Sequence, residues 1–316
     1  MATPQMTPET PAAPLRVGLF GTGPWAARVH GPALAAHPEV ELTGVWGRRP
    51  EAAGALAKEL STRAYADKEL STRAYADADA LIADVDVAAF ALPPDVQAEI
   101  AARAARAGRH LLLDKPVATK TRTARALADA AAGVASVVFF TLRFSAASAP
   151  WLAEQAAVDD WFTASAQWLG SIHAPDAKSP YAASPWRREK GALWDVGPHA
   201  LSLLLPALGD VTSVTAAARG PLDTVHLLLG HASGASSVAT LSLTAPEQAG
   251  GVTVELRGAS GVATLPEVWG DGPLDAYARA VDALLTAART GVPHACDVRF
   301  GLRVTEILAE AEALLG

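Results

Sequence analysis

The stretch Val17-Gly18-Leu19-Phe20-Gly21-Thr22-Gly23-Pro24-Trp25-Ala26 decides how this chain is read. A short apolar run ends in G-x-G-x-x-A and passes into the Ala-rich segment 26–36. A strand that stops at Gly21, a tight turn and a helix starting close by form the pattern that accepts a dinucleotide. Gly21 permits the turn, and Gly23 has no side chain to block a phosphate. Ala26 lets the helix lie close to the strand. Thr22, Pro24 and Trp25 complete the loop, and the free N–H groups at the helix start attract a pyrophosphate. A glycine-rich βα turn without a ligand can carry the same letters, so the motif takes its weight from the strand before it and the helix after it.

Around that stretch, apolar runs recur at 15–20, 40–46, 85–92, 110–113 and 134–141, with Ala-rich helical segments such as 96–107 and 122–132 between them. Alternating β and α units predict a doubly wound parallel sheet over residues 15–140, with the ligand beyond the carboxyl ends of its strands. Residues 141–316 read differently. Strands at 164–172, 211–218, 224–229, 236–243, 252–257 and 262–265 are joined by Gly, Pro and Ser turns, with helices at 195–208, 274–290 and 298–315. That pattern predicts an α+β domain with a largely antiparallel open sheet, so the fold class is α/β followed by α+β.

Composition bounds the rest. The 316 residues carry a net charge of −7 and no basic stripe, which argues against nucleic acid or anionic membrane as a partner. One cysteine, Cys296, excludes an internal disulfide and any C-x-x-C metal site, so no metal is expected. Residues 1–14 are rich in Pro and Thr without an apolar core and read as a disordered tail rather than a signal peptide. The apolar runs fall far short of the ~20 residues that span a bilayer. A cytoplasmic protein is expected.

The strand ends then supply candidates. After the second run comes Gly47-Arg48-Arg49-Pro50, with no carboxylate to bind the adenosine ribose of NAD. Arg48 and Arg49 suit a 2′-phosphate, which favours NADP over NAD, although two solvated arginines opening a helix would look the same. The fourth run ends in Leu92-Pro93-Pro94-Asp95, and Pro93 is expected beside the nicotinamide. The fifth ends in Asp114-Lys115-Pro116. Proline keeps the residue before it extended, so Lys115 should project into the cleft, where an ammonium can bind a hydroxyl and lower its pKa. Between the second and fourth runs, KELSTRAYAD at 58–67 is repeated letter for letter at 68–77. Ten residues are about 2.8 helical turns, so a wholly helical insert would turn its apolar face away from the sheet. One copy is expected to form the third strand, and the other to extend a helix or loop out.

A second constellation is Asp195-Val196-Gly197-Pro198-His199. Asp195 reads as an N-cap, and Pro198 is tolerated in a first helical turn. Asp195 and His199 then share one face, where a carboxylate raises the pKa of the imidazole and orients it for proton transfer. A capping Asp beside a buried structural His is the plain alternative. The preceding loop, Ser184-Pro185-Trp186-Arg187, is expected to line a substrate pocket, with Trp186 stacking on a ring and Arg187 donating hydrogen bonds. Arg143, just after the sixth run, is a further substrate candidate.

Taken in order, Gly21-x-Gly23-x-x-Ala26, Lys115-Pro116 and Asp195-x-Gly197-x-His199 resemble the Gfo/Idh/MocA family of oxidoreductases, and His30-x-Pro32-Ala33-Leu34 is similar to that family as well. The resemblance implies a Rossmann domain, a second domain whose open sheet forms a homodimer or homotetramer, and hydride transfer between NAD(P) and a carbohydrate-like alcohol or carbonyl. It also implies that Lys115 contacts both substrate and cofactor, and that Asp195 and His199 are the acid/base pair. Asp114 stands where the family usually has glutamate. Gln97 stands where many members carry a histidine. A catalytically silent NAD(P) sensor and an NAD-dependent glycosidase of the same fold are the alternatives.

Overall fold

The computed structural model describes residues 13–62, 71–175, 177–267 and 271–316. The first sheet is built from β1 (Leu15–Phe20), β2 (Val40–Trp46), β3 (Arg73–Tyr75), β4 (Val87–Phe90), β5 (His110–Asp114) and β6 (Ser136–Phe139). They lie in the order β3-β2-β1-β4-β5-β6, all in parallel. The central strands are buried on both faces: every residue of Val87-Ala88-Ala89-Phe90 is buried, which is why they read as unbroken apolar runs rather than alternating ones. Helices α1 (Gly31–Ala36), α2 (Pro50–Thr62), α3 (Ala78–Asp84), α4 (Pro94–Arg106) and α5 (Thr121–Ala130) connect them. The helix after the glycine turn begins irregularly, with a π-helical turn at Ala26–His30 running straight into α1.

The duplicated decapeptide divides between two elements. Lys58–Thr62 of the first copy finishes α2, and Arg73–Tyr75 of the second forms β3 at the sheet edge. Asp77 then caps α3 by accepting the Ala80 N–H. The rest of the first copy and the start of the second lie outside the described residues.

After α6 (Ser148–Gln155) comes the second sheet: β7 (Trp161–Leu169), β8 (Val211–Arg219), β9 (Val225–His231), β10 (Ser236–Ser242), β11 (Gly251–Gly258) and β12 (Gly261–Thr264), in the order β12-β11-β7-β10-β9-β8. Only the β7–β10 pair is parallel. Burial alternates along β9, so one face is covered while the other carries the cross-strand pair Val238 and Leu228, 43% and 38% exposed. Helices α7 (Pro185–Asp195), α8 (Gly197–Leu208) and α10 (Val298–Leu314) pack against the inner face. The first sheet is reached by α9 (Pro273–Thr290), which packs on β5 and β6, and by α10, which also packs on α5 and β6.

Two expectations need correction. Ser184–Arg187 is no loop, because Pro185 opens α7. Nor does Asp195 cap a helix; it ends α7, and Val196 takes the N-cap position of α8 without a side-chain bond. The reason is that the Asp195 carboxylate has stronger partners than backbone amides. No described helix is long and apolar enough to cross a membrane.

Candidate active site

The carboxyl ends of β1, β2, β4 and β5 open on one cleft of about 480 Å³. The glycine turn supplies Thr22, Gly23, Pro24 and Trp25; the end of β2 supplies Arg48 and Arg49; β4 supplies Pro93; β5 supplies Asp114 and Lys115. Across from them stand Tyr181, Ser184, Trp186 and Arg187 from the start of α7 and the segment before it. Gly21 sits at φ +138°, and a Cβ there would lie 2.3 Å from the Ala91 carbonyl oxygen, so glycine is required by the neighbouring strand end as well as by the turn. At Gly23 an added Cβ would meet nothing within 4 Å, which leaves bare backbone facing open space where a pyrophosphate needs it. Ala26 is fully buried under the first turn. The residues present therefore fit a dinucleotide.

The polar floor is organised around Asp195, which is 3% exposed. Lys115 Nζ donates to its Oδ1 at 2.9 Å and to its backbone oxygen at 2.6 Å. Arg187 Nε donates to Oδ2 at 3.0 Å. Burial pushes the Asp195 carboxyl up, but the Lys115 and Arg187 charges outweigh it and hold the group at about 2. One carboxylate thus fixes two cations on the cleft wall. Arg187 is further held by the faces of Trp186 at 4.8 Å and Tyr181 at 5.4 Å.

Asp114 is the contrasting carboxyl. Burial raises it to about 6 against the pull of Lys115, whose N–H donates to Oδ1 at 2.8 Å. Gln97, fully buried on α4, clamps the same strand end: its Nε2 donates to the Asp114 oxygen and its Oε1 accepts the Asp114 N–H, both at 2.8 Å. The amide here is a strut for the residue before Lys115, and it does not line the cleft.

His199 lies in the first turn of α8, 7% exposed. Its Nδ1 is buried, and no described residue bonds to it. The expected rise in its pKa is reversed. Burial, aided by the Lys115 charge, drives it well below the usual value, and Asp195 only partly opposes this. Its ring lies against Trp168, centroids 4.5 Å apart and planes 14° apart.

Cleft and floor therefore bring together Thr22, Gly23, Pro24, Trp25, Arg48, Arg49, Pro93, Lys115, Trp186 and Arg187, with Asp195 directly bonded to two of them and His199 close behind. Arg143 is not among them. Its guanidinium donates to the Ser202 oxygen at 3.1 Å and sits over Phe300, so its expected place in the pocket is corrected to packing between elements. Two aromatic residues were missed by sequence reading. Tyr181 meets Trp25 edge-on at 6.1 Å across the cleft. Trp168 follows Ala164 and Ala166 on the helix-facing side of β7, an alternation that placed it toward α8.

Comparison with known proteins agrees with this architecture. The model of the oxidoreductase family with an NAD-binding Rossmann fold, Gfo/Idh/MocA, matches residues 15–141, and that of the Gfo/Idh/MocA C-terminal domain matches 160–264. Dehydrogenase FPY6 of Fusarium mangiferae is 28% identical over 67% of this chain and 66% of its own length. The dTDP-3,4-didehydro-2,6-dideoxy-alpha-D-glucose 3-reductase of Streptomyces violaceoruber is 32% identical over 64% of this chain and 57% of its own. The chain thus matches somewhat under two thirds of the length of these relatives. Among solved structures, levoglucosan dehydrogenase in complex with NADH and levoglucosan superposes with a TM-score of 0.80 at 21% identity, covering 95% of this chain and 98% of that one. With both halves of the fold matched in sequence, the chain belongs to the Gfo/Idh/MocA family of oxidoreductases.

Proposed function

We propose that the protein is a cytoplasmic NAD(P)-dependent dehydrogenase or reductase that moves a hydride between nicotinamide and a secondary alcohol or carbonyl carbon of a carbohydrate-like substrate. The observation that carries this reading is the Lys115–Asp195 pair in the floor of a cleft that begins at the glycine turn. The relatives named for reduction of a deoxysugar and oxidation of levoglucosan support the substrate class.

The turn at Thr22–Trp25 would hold the pyrophosphate, Pro93 would lie beside the nicotinamide, and Arg48 and Arg49 would receive a 2′-phosphate, which favours NADP. When bound, the cofactor supplies or takes the hydride. Lys115 donates a hydrogen bond to the reacting oxygen and lowers the pKa of the hydroxyl. His199 accepts the hydroxyl proton. It is neutral because burial disfavours its charged form, which leaves the ring able to accept the proton, as a weak base that gives it up again readily. Trp186 and Arg187 contact the substrate. The exposed Val238–Leu228 face of the second sheet supports assembly into a homodimer or homotetramer.

Turnover of polyols, aldoses and trans-dihydrodiols with NADP+ and NAD+, followed at 340 nm, tests the reading. His199→Ala is expected to lower kcat by ~10²–10⁴. Cofactor binding with no turnover on any substrate would favour a sensor instead, and sugar release without net reduced cofactor would favour a glycosidase.

A further inference from the structure

On the reading above, His199 carries the proton, and its ring must be held in one orientation to do so. A neighbouring carboxylate commonly does this by accepting the N–H of the imidazole. Here that partner is already committed: Asp195 Oδ1 takes Lys115 and Oδ2 takes Arg187, while His199 Nδ1 has no described hydrogen-bond partner. What does lie against the imidazole is Trp168, nearly parallel at 4.5 Å. We propose that Trp168 is the positioning residue for His199, fixing the plane of its ring by face-to-face packing in place of a hydrogen bond.

The sequence builds this contact in steps. Along β7, Ala164 and Ala166 are buried on the side that faces α8, and their small side chains let the helix come close. Trp168 is the next residue on that side and reaches the first turn of α8. Its strand position is fixed by neighbours on both sides, Leu241 on β10 and Val252 on β11. The helix start is fixed over the same strands by Gly197, where a Cβ would stand 2.9 Å from Leu308 Cδ2 and 3.3 Å from Leu241 Cδ1. Gly197 therefore sets how near His199 comes, and Trp168 sets how its ring lies.

The contact has a chemical consequence. Packing an indole on one face of the imidazole keeps water from that face and leaves the ring edge as the route for a proton. The charged groups that act on His199 are Lys115, Asp195 and Arg187. Trp168 adds no charge, so its shielding favours the neutral ring.

The test combines ring NMR with kinetics on the full-length protein. In ¹³C-histidine-labelled wild type, the His199 ring protons, assigned by their loss in His199→Gln, should be shifted upfield by the indole and should not titrate from about pH 5.5 to 8. In Trp168→Phe the upfield shift persists and kcat stays within about twofold. In Trp168→Leu the signals move downfield and broaden as the ring loses its fixed plane, while kcat falls roughly two- to tenfold with the KM for sugar and the NADPH Kd unchanged. Trp168→Met gives the same comparison if the leucine variant does not fold. Unaltered ring signals in the aliphatic variant would overturn the proposal. So would a raised KM with kcat intact, which would make Trp168 a sugar platform. If wild type turns over no sugar, the proposed function fails, and the ring signals still decide whether Trp168 holds His199.

Discussion

Lys115 and Asp195 are eighty positions apart in sequence and joined at 2.9 Å, a lysine from the end of the first sheet bonded to a carboxylate from the end of α7. The pair is the point at which the two halves of the chain become one site. It is nearly buried, so removing one partner strands the other charge.

Asp195→Ala is therefore expected to cost about 3–5 kcal/mol of stability, because Lys115 and Arg187 are left facing each other without their shared carboxylate. Lys115→Met should lower kcat by about 10²–10³ through loss of the donor to the reacting oxygen. Urea unfolding and initial rates check both. An unchanged urea midpoint in Asp195→Ala would show that the pair adds nothing to the fold.

Arg48 and Arg49 line the cleft where the adenosine end of the cofactor would lie. Replacing both with alanine should reduce the NADP/NAD ratio of kcat/KM at least tenfold, roughly one lost charge-assisted contact. A ratio that holds would mean that the 2′-phosphate is bound elsewhere or not at all.

Acid sensitivity follows from buried histidines. Burial lowers His30 from 6.5 to about 3 and moves His199 in the same direction. As pH falls through 6.5 only the unfolded chain takes up these protons, so stability is complete above that pH. Below it, about 1.4 kcal/mol per pH unit is lost for each such group. Asp114, raised from 3.8 to about 6, acts oppositely between those values, but one carboxyl does not cancel two histidines. His30→Phe, which keeps a ring against Tyr277, should flatten the loss. Comparing urea midpoints at pH 4.5 and 7 is decisive: an equal drop in variant and wild type would clear His30.

Gly197→Ala pushes a methyl into Leu308 and Leu241, both in the core. The expected cost is about 1–3 kcal/mol, with a lower kcat because the first turn of α8 moves with His199. Wild-type kcat in a correctly folded variant would show that the helix start has room to spare.

Removing residues 58–67 yields the same sequence as removing 68–77. After either deletion Lys-Glu-Leu-Ser-Thr still follows Ala57 and Arg-Ala-Tyr-Ala-Asp still precedes α3. Helix α2 would give up its last residues to the strand, and the shorter connection costs less to close. The deletion variant is expected to fold, with a melting temperature equal to or above that of the full chain. A protein that fails to fold would show that both copies are structural.

Much of this was legible in the sequence because backbone rules govern it. Unbroken apolar runs marked the buried parallel strands, glycine spacing marked the turn, and the residues at strand ends fell into the cleft. The reading failed where side chains choose among distant partners. Asp195 looked like a helix cap because capping is a local interaction, whereas its actual partners, Lys115 and Arg187, are set by the tertiary fold. The imidazole of His199 was expected to be raised by a nearby carboxylate, and burial prevailed. Arg143 followed a strand like the others, but β6 is an edge strand, and the arginine after it turns to Ser202. That α9 and α10 would pack against the first sheet is a matter of long-range packing that no local pattern announces.

Those two helices have a consequence for how the protein is made. His30 and Phe139, in the first half, rest on Tyr277 of α9, and Trp194, next to Asp195, donates to Glu312 near the end of α10. A nascent chain that has emerged from the ribosome only as far as residue 270 leaves the seat of Tyr277 open and Trp194 without its acceptor. Such a chain must be shielded until residues 271–316 appear. These contacts form only once α9 and α10 have been synthesised, so a translation that stops before them leaves an exposed apolar surface.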